Sequence, residues 1–449
     1  MSFQDLNLNT PLYNALDDLG FTQATPIQEQ AFNVIASGKD VVGIAQTGTG
    51  KTFAYMLPIL KDLKYSTQDN PRVLVLVPTR ELVVQVVDEI EKLSKYINNR
   101  ILGVYGGVNI NSQKQEVAQG QDIIVATPGR LYDLAVSHVL KLKSIQKVVI
   151  DEVDVMLDLG FRHQLMNIFD ILPERRQNIM FSATMTEEVD ALISEFFIAP
   201  EKITIAISGT PLENISQERY EVSNFYTKVN LLNHLLSDTE SFTKVLIFVA
   251  YKKMADRLFE LLEAEFKGEC CVIHSNKTQN YRLRSIENFE SGKHRMLIAT
   301  DVMARGLDID NISHVINFDT PNYPENYMHR IGRTGRAEKQ GHTIAFSTEK
   351  ELESIHAIEA YMDFEIPLTE FPKSVVVSKE LIEEERPQIQ EPNNPVKSKK
   401  ATLGDAFHEK SDKNKKENLG GSYRREIAKK YTKPKTRGDK NFNRRNKKK

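Results

Sequence analysis

Val41-Val42-Gly43-Ile44-Ala45-Gln46-Thr47-Gly48-Thr49-Gly50-Lys51-Thr52 is the stretch that decides the fold. A short β-favouring run enters a Gly/Thr-rich turn, and Lys51-Thr52 open a segment whose apolar residues recur at helical spacing. Strand, turn and helix in that order begin a parallel α/β sheet, and the turn has its own chemistry. Glycines such as Gly48 and Gly50 let backbone N–H groups turn inward around phosphate oxygens. Lys51 then reaches the β- and γ-phosphates, and the Thr52 hydroxyl is placed to hold Mg2+. Ala45 occupies the first position of the pattern, where glycine is usual.

Outward from this loop, short apolar runs alternate with helix-period stretches. The runs are Val73–Val77, Ile123–Ala126, Val148–Ile150 and Ile179–Phe181, then Val245–Val249, Val272–Ile273, Met296–Ala299, Val315–Asn317 and Thr343–Phe346. Between them Glu81–Tyr96, Lys252–Phe266 and Arg282–Phe289 carry apolar positions at helical intervals. The expected class is α/β, in two halves with mainly parallel sheets. Val148-Val149-Ile150 delivers Asp151 and Glu152 to a strand end. There one carboxylate can hold Mg2+, and its neighbour can orient and deprotonate an attacking water. By itself an apolar strand ending in Asp is a common structural feature; coupled to the phosphate loop it predicts a nucleoside triphosphatase.

With Asp151-Glu152-Val153-Asp154 in view, the chain resembles the DEAD-box RNA helicases. Phe3, Gly20-Phe21 and Thr25-Pro26-Ile27-Gln28 are similar to the adenine-reading Q motif. Pro78-Thr79-Arg80-Glu81-Leu82, Gly106-Gly107 and Thr127-Pro128-Gly129-Arg130 are similar to the RNA-facing motifs of the first domain, and Ser182-Ala183-Thr184 to the coupling motif. Gln279 with Arg282, Ala299-Thr300-Asp301 leading to Arg305-Gly306-Leu307-Asp308, and His329-Arg330-Ile331-Gly332-Arg333-Thr334-Gly335-Arg336 complete the set in family order over about residues 1–372. Val153 stands where the family name has Ala, Ala24 where the Q motif usually has Pro, and Ala250-Tyr251 replaces a usual polar pair.

The resemblance implies two RecA-like domains with ATP and RNA bound across the cleft between them. It implies that Phe21 stacks on adenine, Gln28 reads its edge, and Asp308 approaches the ribose. Arg333 and Arg336 would bring positive charge to the γ-phosphate from the opposite domain. Thr79, Arg80, Gly106, Gly107, Thr127 and Arg130 would face RNA from the first domain, and Gln279, Arg282, Thr300 and Asp301 from the second. Asp154, Ser182, Thr184 and His329 would couple the two sites. The implied activity is ATP-dependent local unwinding of RNA, with RNA, alone or in ribonucleoprotein assemblies, as partner. An RNA clamp without productive turnover and a DNA-translocating helicase are the alternatives.

Composition sets the frame. The chain has 449 residues, 40% hydrophobic and 27% charged, with two cysteines and no tryptophan. That length allows two or three domains and excludes disulfide scaffolds and fibres. No apolar run approaches the ~18 residues of a membrane span, and the N-terminus has neither the basic nor the apolar region of a leader, so a cytoplasmic protein is expected. Cys270 and Cys271 are adjacent in a predicted strand and face opposite ways, as structural thiols or, alternatively, a redox pair. The net charge of −2 divides sharply. Residues 397–449 carry 20 Lys+Arg against 6 Asp+Glu, or +14, and residues 1–396 carry 39 against 55, or −16. Such a tail suits a polyanion, nucleic acid or an anionic membrane, or serves solubility. The expected organisation is an ATP-binding domain at 1–207, a linker at 208–219, a second helicase domain at 220–372, an acidic Pro-containing linker at 373–396 and a basic disordered tail at 397–449.

Overall fold

Two parallel sheets, each buried on both faces by helices, organise the chain. The computed structural model describes residues 2–45, 48–205, 214–301, 309, 311–335 and 340–386. In chain order the first sheet contains β1 (Val41–Ile44), β2 (Val73–Leu76), β3 (Ile101–Val104), β4 (Ile123–Ala126), β5 (Lys147–Ile150), β6 (Gln177–Ser182) and β7 (Glu201–Thr204). They lie side by side as β3-β4-β2-β5-β6-β1-β7, every pair parallel. The second sheet contains β8 (Ile215–Glu221), β9 (Val245–Phe248), β10 (Cys270–Ile273), β11 (Met296–Ala299), β12 (His314–Asn317) and β13 (Gly341–Ser347), ordered β10-β11-β9-β12-β13-β8 and again parallel throughout. The α/β reading with two parallel sheets is the observed one.

The near-continuous apolar strands follow from burial on both faces. In β2, Val73 and Val75 enter one core while Leu74 and Leu76 enter the other. Likewise Val149 faces the first core, and Val148 and Ile150 the second. Cys270 and Cys271 divide between the two cores of the second sheet, and burial pushes both thiols up to about 12. Both are reduced and buried, which fits structural thiols. Val153 is fully buried in the second core, alongside Ile150 and Met156.

Two stretches read as linkers contain ordered structure. β8 begins inside 208–219 and pairs with β13 along its whole length. Its inward residues Ile215, Gln217 and Tyr220 are separated by polar or charged ones, which hid the strand. Beyond residue 372 the chain to Arg386 is a strap on the second half. Val375 and Ile382 are buried with Phe225 and Val229. The Asn224 side chain donates to the Ser378 carbonyl (2.6 Å), and the Phe225 N–H donates to Glu385 Oε1 (2.6 Å). Two well-spaced apolar side chains thus anchor an otherwise acidic segment. Residues 208–213, 387–396 and the tail 397–449 lie outside the described residues, as do Asp308 and Arg336. Among the described residues no helix is long and apolar enough to cross a membrane.

In register, Ile44 pairs with Ser182 and Ile150 with Met180, so the carboxyl ends of β1, β6 and β5 lie together. That edge is where open parallel sheets bind ligands.

Candidate nucleotide and RNA site

The phosphate loop leaves β1 at Ala45, whose N–H donates to the Ser182 carbonyl (3.0 Å). Gly48 and Gly50 both adopt left-handed φ, of 81° and 82°, and Gly50 precedes the helix Lys51–Asp62. A side chain at 50 would also strike the Gln28 amide. Gln28 is turned toward this loop: its Nε2 donates to the Gly50 carbonyl (3.1 Å), and its Oε1 accepts the Thr25 N–H (3.0 Å). Thr25 adds a hydroxyl bond to the Thr49 carbonyl (2.8 Å). The residue assigned to the adenine edge thus braces the phosphate loop in this structure. Phe21 is half exposed, edge-on to Phe53 at 5.4 Å, with its ring open to solvent.

Lys51 is buried, yet its Nζ has no hydrogen-bond partner, and Asp151 Oδ1 lies 3.9 Å away. Leaving an ammonium so is costly unless an anion completes the site. Asp151 Oδ1 accepts the Glu152 N–H (2.9 Å) and Oδ2 accepts the Tyr55 hydroxyl (3.1 Å). Glu152 is held at φ 53°, a strained conformation for a side chain of its kind, and its Oε2 is buried without a partner. Burial pushes both carboxyls above their ordinary values; the Lys51 charge opposes this at both, and Arg333 also opposes it at Glu152. An orphaned ammonium, an open carboxylate oxygen and inward-turning glycines fit a triphosphate with its metal. Thr52 and Asp151 are the residues that could hold that ion.

Asp154 is bonded differently. Its Oδ2 accepts the N–H groups of Ala183 (3.1 Å) and Thr184 (3.0 Å) and the Thr184 hydroxyl (3.0 Å), and Oδ1 accepts the Val155 N–H (3.0 Å). From the second half, His329 Nε2 stands 3.8 Å from Oδ2. Burial works against ionisation here, but His329, Lys51 and these donors hold the carboxyl below the usual range. Ser182 is fully buried and donates to the Thr184 carbonyl (2.7 Å). Arg333 is buried, its Nε donating to the His329 carbonyl at 3.3 Å.

A separate cavity of about 470 Å³ is lined from the first half by Thr79, Arg80, Gly106, Thr127 and Arg130 and from the second by Ser275 and Arg282. Arg80 lies against Gly107, whose φ of 87° and lack of Cβ leave it room. Thr79 caps the helix Arg80–Leu93 by accepting the Leu82 N–H. Arg130 reaches Gln113 (2.6 Å) and the Val108 carbonyl (3.0 Å).

Two residue sets assigned to RNA are engaged within the protein. Gln279 donates to Glu81 Oε1 (3.2 Å), and Arg282 pairs with the same carboxylate (3.1 Å) while also bonding Gln279. Glu81, from the first half, thus fastens the second. Asp301 is clamped by Arg330 Nε (2.5 Å) and its second guanidinium nitrogen (2.8 Å). Arg330 also bonds Asn317 and the Asp319 carbonyl and is 2% exposed. Thr300 lies at the carboxyl end of β11, half-buried. In the sequence Tyr55 stood outside every motif, while Glu81 and Arg330 stood inside motifs with no individual role. A tyrosine three residues beyond Thr52 on one helix was the available signal for the first.

The sequence profile of the DEAD/DEAH box helicase family matches residues 25–192, and that of the helicase conserved C-terminal domain matches residues 227–338. The ATP-dependent RNA helicase DeaD of Buchnera aphidicola subsp. Baizongia pistaciae is 38% identical over 391 residues, covering 87% of this chain and 64% of its own, so the chain spans less than two thirds of that relative. The DEAD-box ATP-dependent RNA helicase CshA of Bacillus subtilis is 39% identical over 360 residues, 80% of this chain and 72% of its own. Among solved structures, S. cerevisiae Dbp5 bound to RNA and ADP BeF3 superposes with a TM-score of 0.76 at 28% identity, covering 82% of this chain and 95% of that one.

Proposed function

Because this chain belongs to the DEAD-box RNA helicases, we propose that it is an ATP-dependent RNA helicase in which RNA-stimulated ATP hydrolysis drives local separation or remodelling of duplexes. The observation that carries the reading is Asp154, three residues beyond Asp151, whose Oδ2 accepts from Ala183 and Thr184 and faces His329 of the second half. It ties the nucleotide pocket to the second half.

Mg2+ held by Thr52 and Asp151 would neutralise charge on the phosphates of ATP. The backbone at Gly48 and Gly50 cradles those phosphates, Lys51 draws charge from them, and Phe21 offers its face to adenine. Glu152 Oε2, dry and unpartnered, takes the proton of the attacking water. Arg333, and Arg336 beyond the described residues, stabilise charge developing on the transferred phosphoryl group. RNA occupies the cavity lined by Arg80, Thr127, Arg130 and Arg282. Its recognition rests on phosphate and 2′-hydroxyl contacts with little sequence preference. The tail at 397–449 adds affinity through counterion release. A cytoplasmic setting accords with this activity.

The free oxygen of Glu152 favours turnover over a passive clamp. Steady-state ATPase assays of the full chain with duplex RNA, single-stranded RNA and DNA test the proposal. Strong stimulation by RNA with strand displacement is expected; equal stimulation by DNA, or none by RNA, overturns it.

A further inference from the structure

One turn after Thr52, the helix Lys51–Asp62 carries a tyrosine that neither phosphate binding nor proton transfer requires. Tyr55 is fully buried, its ring 5.6 Å from that of Phe181. Its hydroxyl donates to Asp151 Oδ2 over 3.1 Å and also interacts with the Thr52 side chain. Residues three apart on a helix share a face, so the phenol oxygen meets both groups expected to hold the ion. We propose that Tyr55 is a positioning residue whose hydroxyl sets Asp151 and Thr52 in the geometry that Mg2+ requires.

The inference rests on the reading that Asp151 and Thr52 hold Mg2+, and it goes further by giving a reason for their arrangement. The Lys51 ammonium, without a hydrogen-bond partner, lies 3.9 Å from Asp151 Oδ1. The Tyr55 bond pins the opposite oxygen and keeps the carboxylate from swinging onto Lys51. Were it to swing, a direct ion pair would withdraw the metal ligand and the phosphate-binding ammonium together. Partners behind a metal ligand commonly govern its affinity in this way.

The test is Mg2+-dependent binding of a fluorescent ADP analogue to the full-length protein, for wild type, Tyr55→Phe, Asp151→Asn and the double variant, with thermal unfolding to show that each is folded. Tyr55→Phe should raise the Mg2+ concentration for half-maximal binding roughly tenfold and leave metal-free binding unchanged. In the Asp151→Asn background the same substitution should add less than about twofold, because the partner is already altered. An unchanged midpoint in Tyr55→Phe, or an equal shift in both backgrounds, overturns the positioning role while the metal reading stands. Wild-type binding that ignores Mg2+ overturns the metal reading and the inference with it.

Discussion

Two buried lysines, one in each half, differ in a way that separates chemistry from architecture. Lys228 is 3% exposed, with Nζ at 3.1 Å from Asp319 and 3.0 Å from Glu351. Burial would lower its pKa, yet these two carboxylates raise it above the ordinary value. Lys51 is 6% exposed and its Nζ has no hydrogen-bond partner. The same contrast holds between Asp301, clamped by Arg330 of its own half, and Glu152, with a free oxygen. Lys228 and Asp301 are satisfied by charged groups of their own half. Lys51 and Glu152 remain open, and open polar groups in a dry site are what a ligand completes.

Glu152→Gln sharpens this contrast most. Turnover should fall by about 10²–10⁴, with ATP binding retained, because the base is lost and the site stays filled. The variant should also be more stable at neutral pH. Burial raises the carboxyl's pKa in the folded state, so above the unfolded value the ionised group opposes folding, and that penalty grows until pH passes the folded value. Thermal unfolding should therefore show a gain at pH 8 that vanishes at pH 4; a loss at pH 8 would break the account of Glu152 as an unsatisfied charge.

The lysines test the comparison directly. Lys51→Ala should lower turnover by about 10²–10³ without destabilising the fold, since it removes a charge-stabilising donor. Lys228→Ala should cost about 3–5 kcal/mol in denaturant unfolding by stranding Asp319 and Glu351, with little change in turnover per folded molecule. The reverse pattern would sink the distinction.

Glu81 and Arg282, both buried and from opposite halves, should be coupled by about 1–3 kcal/mol in a double-mutant cycle. The readout is RNA concentration for half-maximal ATPase, raised in each single variant; additive effects would show that the pair does not join the halves. Smallest is the strap. Truncation after 372 should lower the unfolding temperature relative to truncation after 386, because Val375 and Ile382 leave the core. Glu384→Gln should do so only slightly and in a salt-dependent way, although Lys253, then a backbone N–H, then Arg257 hold its carboxyl at about 2.

The strand-turn-helix around Lys51, the carboxylates after β5 and the alternation of apolar runs made the two sheets legible in the sequence, because buried parallel strands leave continuous apolar runs. β8 escaped because an edge strand with Glu218, Arg219 and Glu221 lacks that signature. The strap escaped because two apolar residues in an acidic stretch give no periodicity. Motif spacing also brought Asp301, Gln279 and Arg282 to the cleft side, but which partner each would take depends on tertiary geometry. Arg330 and Glu81 come from elements remote in sequence, and hydrogen bonds of that kind leave no local pattern.

The central claim is that ATP turnover is assembled across the cleft, with carboxylates from the first half and Arg333 from the second. The most direct test is RNA-stimulated ATPase of full-length Arg333→Ala beside nucleotide affinity. Turnover is expected to fall roughly 10³-fold with nearly unchanged affinity, the signature of a cation acting on developing charge. Undiminished turnover would contradict it.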